Sequence, residues 1–297
     1  MELENVVFSG GAMKSLAFGG VIRAIDKAGL RGQVKRIAAT SGGAITACLM
    51  ACGFTGEEII NIMYNRDFSK LKDNTSLLEN IHRLSFNFGF YNNKLISEWL
   101  SEHLQEKNID GNITFRDVYN IYGIDLIIPA THLNTRETVY FSREETPDMA
   151  IVDATRISSS IPVFFEAYKF RKDIYVDGGI TCNLPIDIIK DKYDPSMEHT
   201  LAFNVINNDD LTQYREIIDF IDFINEIINT YFYHYNIKRN IEYKNNIVNI
   251  HTGEISPINF ALSSEEKMTL FRRGYQTTKE RLKYFGIDNT IHHLFKE

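Results

Sequence analysis

The alternation of apolar and polar positions along the first fifty residues repeats one plan twice. Val6, Val7 and Phe8 form a short β-rich run that ends in Gly10 and Gly11, and helical periodicity follows from Met13 to Lys27, closed by Gly29. A second apolar run ends in Ser41, Gly42 and Gly43 before a small-residue helix, AITACLMACG. Two strand-glycine-helix units in series predict a parallel sheet covered by helices, since parallel strands need a long crossover and a helix supplies it. From Thr55 to Glu106 the pattern is mostly helical, with a loop around FNFGFYNNK ahead of a helix that carries Ile96 and Trp99; this stretch, about 55–106, is the natural place for a cap. GIDLIIPATHL and ETVYFS read as strands, a helix follows near Asp148 to Ile157, IYVDGG is a strand ending in glycines, and TLAFNVI is one more buried strand.

Ile217 to Tyr235 has the pattern of an amphipathic helix whose polar stripe is Asp219, Asp222, Asn225, Glu226 and Asn229. A helix with a wide buried face is the plainer reading, and a helix that touches lipid is the alternative. The segment NIVNIHTG and a helix from Ser263 to Phe285 close the chain. No repeat, linker or low-complexity tract interrupts it. The fold expected is therefore α/β, three layers α/β/α around a mostly parallel central sheet, with residues 1–297 as one domain.

Bulk composition narrows the function classes. The net charge of −7 and the pI near 5.7 speak against nucleic-acid binding and against broad adhesion to anionic membranes, which leaves only a local rim for peripheral membrane contact. Acidic residues near the start and early glycines give no secretory signal, and no run reaches the roughly 18 apolar residues of a spanning helix, so the expected location is the cytoplasm or the periphery of intracellular membranes. Three cysteines, Cys48, Cys52 and Cys182, provide no disulfide framework. Cys48 and Cys52 stand one helical turn apart in an apolar segment with no further ligand at metal spacing, which reads as core packing. No metal and no cofactor are expected.

Three strand-end motifs carry chemistry. Ser41 sits between an apolar strand and a helix, where the helix N-terminus turns N–H groups towards any charge that forms. The general nucleophile-elbow pattern is G-x-S-x-G, and Ala39 stands at its first position. A serine N-cap beside two glycines would look the same. SGGAMKS, from Ser9 to Ser15, can turn its N–H groups into a concavity for an oxyanion or a phosphate; a nucleotide-binding loop would need glycine directly before the lysine, and Met13 stands there. In IYVDGGITCNLP, Asp177 ends a strand and Gly178 and Gly179 follow; a simple Asp-Gly turn is the alternative.

FSGGAMKSLAFGGVIRAI, ATSGGAI and YVDGGITCNLP, in this order, resemble the patatin-like phospholipases, with RISSSIPVFFEAY, LIIPATHLNTRETVYFS and LSSEEKMTLFRRGYQTT as supporting pieces over nearly the whole chain. The resemblance implies a lipid acyl hydrolase of phospholipase A or lysophospholipase type, acting on phospholipid or other acyl-ester lipid. It implies Ser41 as nucleophile, Asp177 as its base, and Gly10, Gly11 and Ala12 as oxyanion donors, with Lys14, Gly43, Gly178 and Gly179 in support. Lys14 would fix the loop or meet an anionic head group, and Asn183 and Pro185 would shape the loop that holds Asp177. An activating protein partner is compatible with the resemblance.

The family pattern has glycine where this chain has Ala12, Ser15 and Ala39. A positive φ at position 12 would strain an alanine by roughly 1 kcal/mol or more. A catalytically weak or silent lipid- or protein-binding member of the same fold is therefore one rival. A Ser-Asp-His triad is the other, with His199, His234, His251, His292 or His293 as the third member.

Overall fold

The computed structural model describes residues 2–72, 76–206, 216–218, 220–253 and 255–284. Near the N-terminus, the strand β1 (Asn5–Phe8) leads through a 3-10 turn (Ala12–Leu16) into the helix α1 (Ala17–Lys27); β2 (Arg36–Ala39) leads through Ser41 into α2 (Gly42–Ala51). The stretch expected to cap the site holds α3 (Gly56–Asn65), a 3-10 turn (Phe68–Leu71), α4 (Leu77–Asn87), the strand β3 (Gly89–Tyr91) and α5 (Lys94–Glu106). After α6 (Phe115–Tyr122) come β4 (Asp125–His132), β5 (Glu137–Ser142), α7 (Ile151–Ser158), β6 (Val163–Phe165), β7 (Tyr168–Phe170) and β8 (Asp173–Asp177). The remainder is α8 (Ile186–Lys192), β9 (Thr200–Ile206), α9 (Phe220–Glu242), β10 (Ile247–His251) and α10 (Ser264–Tyr284).

The main sheet has eight strands in the order β10-β9-β1-β2-β4-β8-β7, with β5 also on β4. Strands β10, β9, β1, β2 and β4 run parallel, as the repeated strand-helix plan predicts. Asp177 ends a strand, as the pattern predicts, but that strand, β8, runs antiparallel to β4 and stands outside the parallel set. Ala130 pairs with both Val139 of β5 and Asp177, and Ile127 pairs with both Ser142 of β5 and Ala38 of β2, so β5 holds one edge of β4 while β2 and β8 share the other. Along that shared edge β2 and β8 run towards each other, and their last residues meet.

Alternate residues of the central strands face opposite layers, the period-2 rule of a pleated strand. Val6, Phe8, Ile37, Ile128, Phe203 and Ile250 join the larger core, which α1, α2, α3, α5, α7 and α10 cover. Val7, Ala38, Ile127, Ala202 and Ile247 face a thinner layer built from Leu184, α8 and Tyr243. The α/β/α order of layers follows, with the helices unequally divided. Cys48 and Cys52 lie within the larger core, and burial pushes the Cys48 thiol up to about 12.

Two features depart from the pattern reading. β3 pairs with β6 in a separate two-stranded sheet, where a loop was expected. The amphipathic helix runs from Phe220 to Glu242, not from Ile217 to Tyr235, and among its described side chains Phe220, Phe223, Ile227 and Tyr231 are exposed. Of its expected polar stripe, Asp219 and the side chain of Asn225 lie outside the described residues, as does Phe285 at the end of the closing helix.

The tightest helix pair is α1 against α10. A Cβ on Gly20 would stand 1.9 Å from the Phe271 carbonyl oxygen, and one on Gly274 would stand 1.9 Å from the Ala17 carbonyl oxygen. Backbone cannot swing away as a side-chain tip can. Gly20→Ala and Gly274→Ala should therefore each cost about 1–3 kcal/mol or more in urea unfolding, the range for overpacked cores; unchanged midpoints for both would show that the two helices are free to separate.

Candidate active site

Ser41 occupies the residue between β2 and α2 with φ 53° and ψ −127°, a conformation that costs a non-glycine residue roughly 1–3 kcal/mol. Its side chain makes no capping bond to the helix, so the N-cap reading of this serine fails. Instead Ser41 Oγ donates to Asp177 Oδ2 at 2.6 Å. The meeting of β2 and β8 on one edge of β4 brings the two side chains together from 136 residues apart.

Both groups are shielded from water, Ser41 at 5% and Asp177 at 4% exposure. The other carboxylate oxygen, Oδ1, accepts from the Gly179 N–H at 2.7 Å. Burial pushes the Asp177 carboxyl up to about 7, against the opposing pull of these two hydrogen bonds. Among the described residues no histidine bonds to Ser41 or Asp177: His199 Nδ1 faces the Glu2 carbonyl, and His251 ends an outer strand. His292 and His293 lie outside the described residues.

A set of short bonds holds the pair. The Ser41 N–H donates to Ser158 Oγ at 3.0 Å, and Ser158 Oγ donates to the Pro129 carbonyl at 2.6 Å. Thr131 Oγ1 donates to the Asp177 carbonyl, the Asp177 N–H donates to the Ser160 carbonyl, and Thr40 Oγ1 donates to the Cys182 carbonyl. Ser158 and Ser160 stand in the RISSSIP segment, whose pattern pointed to family resemblance without pointing to these roles. Thr40 and Thr131 stand in ATSGGAI and LIIPATHL, segments that likewise did not point to these roles.

The expected oxyanion donors do not behave alike. The Gly10 N–H donates to the Asn183 carbonyl at 2.9 Å, so Gly10 is committed to holding the loop after Asp177 and is removed from the donor set. Gly11 and Ala12 have N–H groups without an acceptor among the described residues, and so has Gly42 at the start of α2, which the motif reading passed over. Ala12 has φ 45°, the strained region foreseen for it. Lys14 is buried, its N–H closing the turn onto the Gly11 carbonyl, while its neighbours Met13 and Ser15 line the pocket. Gly43 lets α2 start against β1, where a Cβ would be 2.4 Å from the Ser9 carbonyl oxygen; Gly178 opens the 3-10 turn Gly178–Ile180, and Pro185 precedes α8.

Residues 6–190 match the sequence profile of the family described as patatin-like phospholipase. The chain belongs to this family. It is 29% identical over 286 residues to protein R571 of Acanthamoeba polyphaga mimivirus, spanning 95% of this chain and 94% of that one. It is 27% identical over 285 residues to a probable lipid hydrolase, 463L, of invertebrate iridescent virus 6, spanning 91% and 86%. VipD from Legionella pneumophila has a similar structure, with a TM-score of 0.68 at 16% identity over 96% of this chain and 67% of VipD. ExoU from Pseudomonas aeruginosa, in its complex with SpcU, gives 0.57 at 17% identity, over 95% of this chain and 52% of ExoU. At such identities these two speak for the fold alone.

In this patatin-like phospholipase a narrow pocket of about 40 Å³ opens beside Ser41, walled by apolar side chains that include Met63, Phe68, Leu71, Ile96, Phe165 and Phe260. Two further wall residues, Ser15 and Ser159, have buried hydroxyls without a hydrogen-bond partner among the described residues. Among the described residues no three His, Cys, Asp or Glu side chains converge as a metal-ligand set, and no helix is long and apolar enough to cross a membrane.

The buried carboxyl makes stability depend on pH. An acid whose folded pKa lies above its unfolded value near 4 favours the folded state at low pH, and that advantage is lost as pH rises through about 7. Asp177→Asn keeps the shape and cannot ionise. Its melting temperature relative to the parent should rise from about pH 5 to about pH 8; a constant difference across that range would show that the carboxylate is solvated.

Proposed function

We propose that the chain hydrolyses fatty-acyl esters of lipids through an acyl-enzyme, with Ser41 as nucleophile and Asp177 as general base. The observation that carries this reading is the 2.6 Å hydrogen bond from Ser41 Oγ to a buried carboxylate that no cation neutralises among its hydrogen-bond partners. A serine hydroxyl is a weak nucleophile until a base within hydrogen-bond reach takes its proton. An ordinary carboxylate near pKa 4 is a poor base at neutral pH; one pushed up to about 7 is better matched.

Each step follows from this geometry. Ser41 Oγ attacks the ester carbonyl carbon while its proton passes to Asp177 Oδ2, and the carbonyl π electrons move onto oxygen. The resulting oxyanion meets the N–H groups of Gly11, Ala12 and Gly42 at the positive end of α2, donors that typically lower such a barrier by about 3–4 kcal/mol each. Collapse breaks the bond to the alcohol, which leaves with the proton from Asp177. Water then attacks the acyl-serine with Asp177 again as base, releasing the fatty acid and restoring Ser41.

The pocket beside Ser41 fits an acyl chain in chemistry more than in size. At about 40 Å³ it is well under the roughly 300–1,000 Å³ of ordinary ligand sites, so a bound chain has to push its walls apart. The 55–106 stretch supplies Met63, Phe68, Leu71 and Ile96 to those walls.

Ala12 gives the silent-member reading its one specific support, since its φ of 45° strains the loop next to the nucleophile. A fluorophosphonate probe separates the two readings. Labelling of the parent and its loss in Ser41→Ala support the hydrolase, whereas no labelling under any lipid condition supports the silent member. On p-nitrophenyl esters Ser41→Ala and Asp177→Asn should each lose at least about a thousandfold in kcat. Replacing His199, His234 or His251 with alanine should leave the rate within about twofold, and loss with a single histidine variant would favour a triad.

The pH profile has a fixed sign. Asp177 works only when ionised, so kcat/KM should climb with pH through about 7 and then level off. A rate that falls across that range would exclude Asp177 as the base.

A further inference from the structure

Helix α4 is eleven residues of amphipathic pattern and contains no buried residue among those described. Three of its apolar side chains face outward, with Leu84 half-buried: Leu78 is 81% exposed, Phe86 is 62% exposed, and Ile81 between them is also open. An amphipathic helix ordinarily turns such a stripe to a core, so an outward stripe marks a surface with an absent partner. The end of α4 continues into the hairpin of β7 and β8. Lys169 Nζ donates to the Phe86 carbonyl and lies 4.8 Å from the Phe88 ring centre, and Phe170 is exposed beside it.

Charge says what the partner is. The hairpin turn presents Lys169, Arg171 and Lys172, all exposed, in a chain whose net charge is −7. Aromatic rings flanked by basic side chains suit a surface that is apolar beneath an anionic rim. The position fits as well. Tyr175 pairs with His132, the last residue of β4, so the turn at Arg171 and Lys172 projects past the carboxyl end of the parallel strands, the end at which Ser41 lies. In the chain, helix α4 lies between the turn whose Phe68 and Leu71 line the pocket and the strand β3, whose partner β6 supplies the lining residue Phe165.

We infer that α4 and the β7–β8 hairpin form a docking face for an anionic lipid surface, which presents substrate to the Ser41 pocket from that side. The choice of occupant rests on the lipid-hydrolase reading. A second copy of the chain is the competing occupant, and the test separates them.

Binding is measured on full-length Ser41→Ala protein, so that no lipid is consumed, by co-sedimentation with phosphatidylcholine vesicles that contain either none or about a third phosphatidylserine. The protein should sediment with the anionic vesicles and at least about tenfold less with the neutral ones, and raised salt should narrow the difference. Arg171→Glu with Lys172→Glu should remove at least about tenfold of the binding to anionic vesicles. Leu78→Ser with Phe86→Ser should weaken binding to both kinds. With Ser41 restored, both double variants should hydrolyse a short soluble ester at the parent rate, which shows them folded.

Equal vesicle binding by parent and variants, or none by the parent, overturns the inference. So does a parent that is dimeric in gel filtration and becomes monomeric in the Leu78→Ser, Phe86→Ser variant, since the face then belongs to a second copy. If the parent binds vesicles yet hydrolyses no ester, the docking face stands and the hydrolase reading fails.

Discussion

The hydrogen bond between Ser41 and Asp177 exists because two strands meet end to end along one edge of β4. β2 pairs with Asp125 to Ile127 and β8 pairs with Ala130 to His132, which leaves Ile128 and Pro129 opposite the gap between them. Proline inside a central strand is ordinarily excluded, since it has no N–H for the ladder. Here the Pro129 carbonyl points into the gap, where it accepts from Ser158 Oγ and lies against Gly178. In an extended strand a residue's N–H and C=O point to the same edge, so the missing N–H would have faced the gap as well. The proline removes a donor that would have had no strand to pair with, and its carbonyl anchors the serine that holds the Ser41 backbone.

That arrangement concentrates unfavourable terms at one place. Ser41 and Ala12 hold positive φ, the Asp177 carboxyl is buried with two hydrogen bonds and no counter-charge among its partners, and the first N–H of α2, that of Gly42, is left without an acceptor among the described residues. Each would be relieved by a more ordinary local sequence. Together they leave open N–H groups and a buried carboxyl close to the Ser41 hydroxyl before any substrate arrives, the preorganisation that the proposed reaction would draw on. The surrounding bonds from Thr40, Thr131, Ser158 and Ser160 oppose relaxation of this strain, and the large core beneath α1, α2 and α10 supplies the stability that tolerates it.

The sequence exposed the site because glycine and strand-end patterns are local. Ser41 with Gly42 and Gly43, and Asp177 with Gly178 and Gly179, are legible within a few residues. The direction of β8 is not local. Nothing in IYVDGG distinguishes a parallel strand from an antiparallel one, because both alternate faces in the same way and only the partner edge decides. The use of Gly10 was hidden for the same reason: its N–H is taken by a carbonyl 173 positions later in the chain. Periodicity located α4 and α9 as helices, yet it reports only that one side is apolar. Whether that side meets a core or stays open depends on what the remaining helices cover.

The division of helices between the two layers bears on how a lipid reaches Ser41. The larger layer packs α1 against α10 through Gly20 and Gly274, backbone to backbone, and such a contact yields little. The cap is held differently. α4 buries no described residue, and its end is tied by polar contacts, with Lys169 on the Phe86 carbonyl, the Ala167 N–H on the Asn87 carbonyl, and Asn87 Nδ2 and Arg83 on Glu166, beside the short β3–β6 ladder. Regions with few buried apolar contacts open at lower free energy than the core does. The pocket of about 40 Å³ is lined on this side by Phe68 and Leu71, which precede α4 and are themselves buried, so α4 and not the lining can move away with least loss. The rigid layer fixes the geometry at Ser41, and α4, which buries no described side chain, is the part of the cap held least firmly to it.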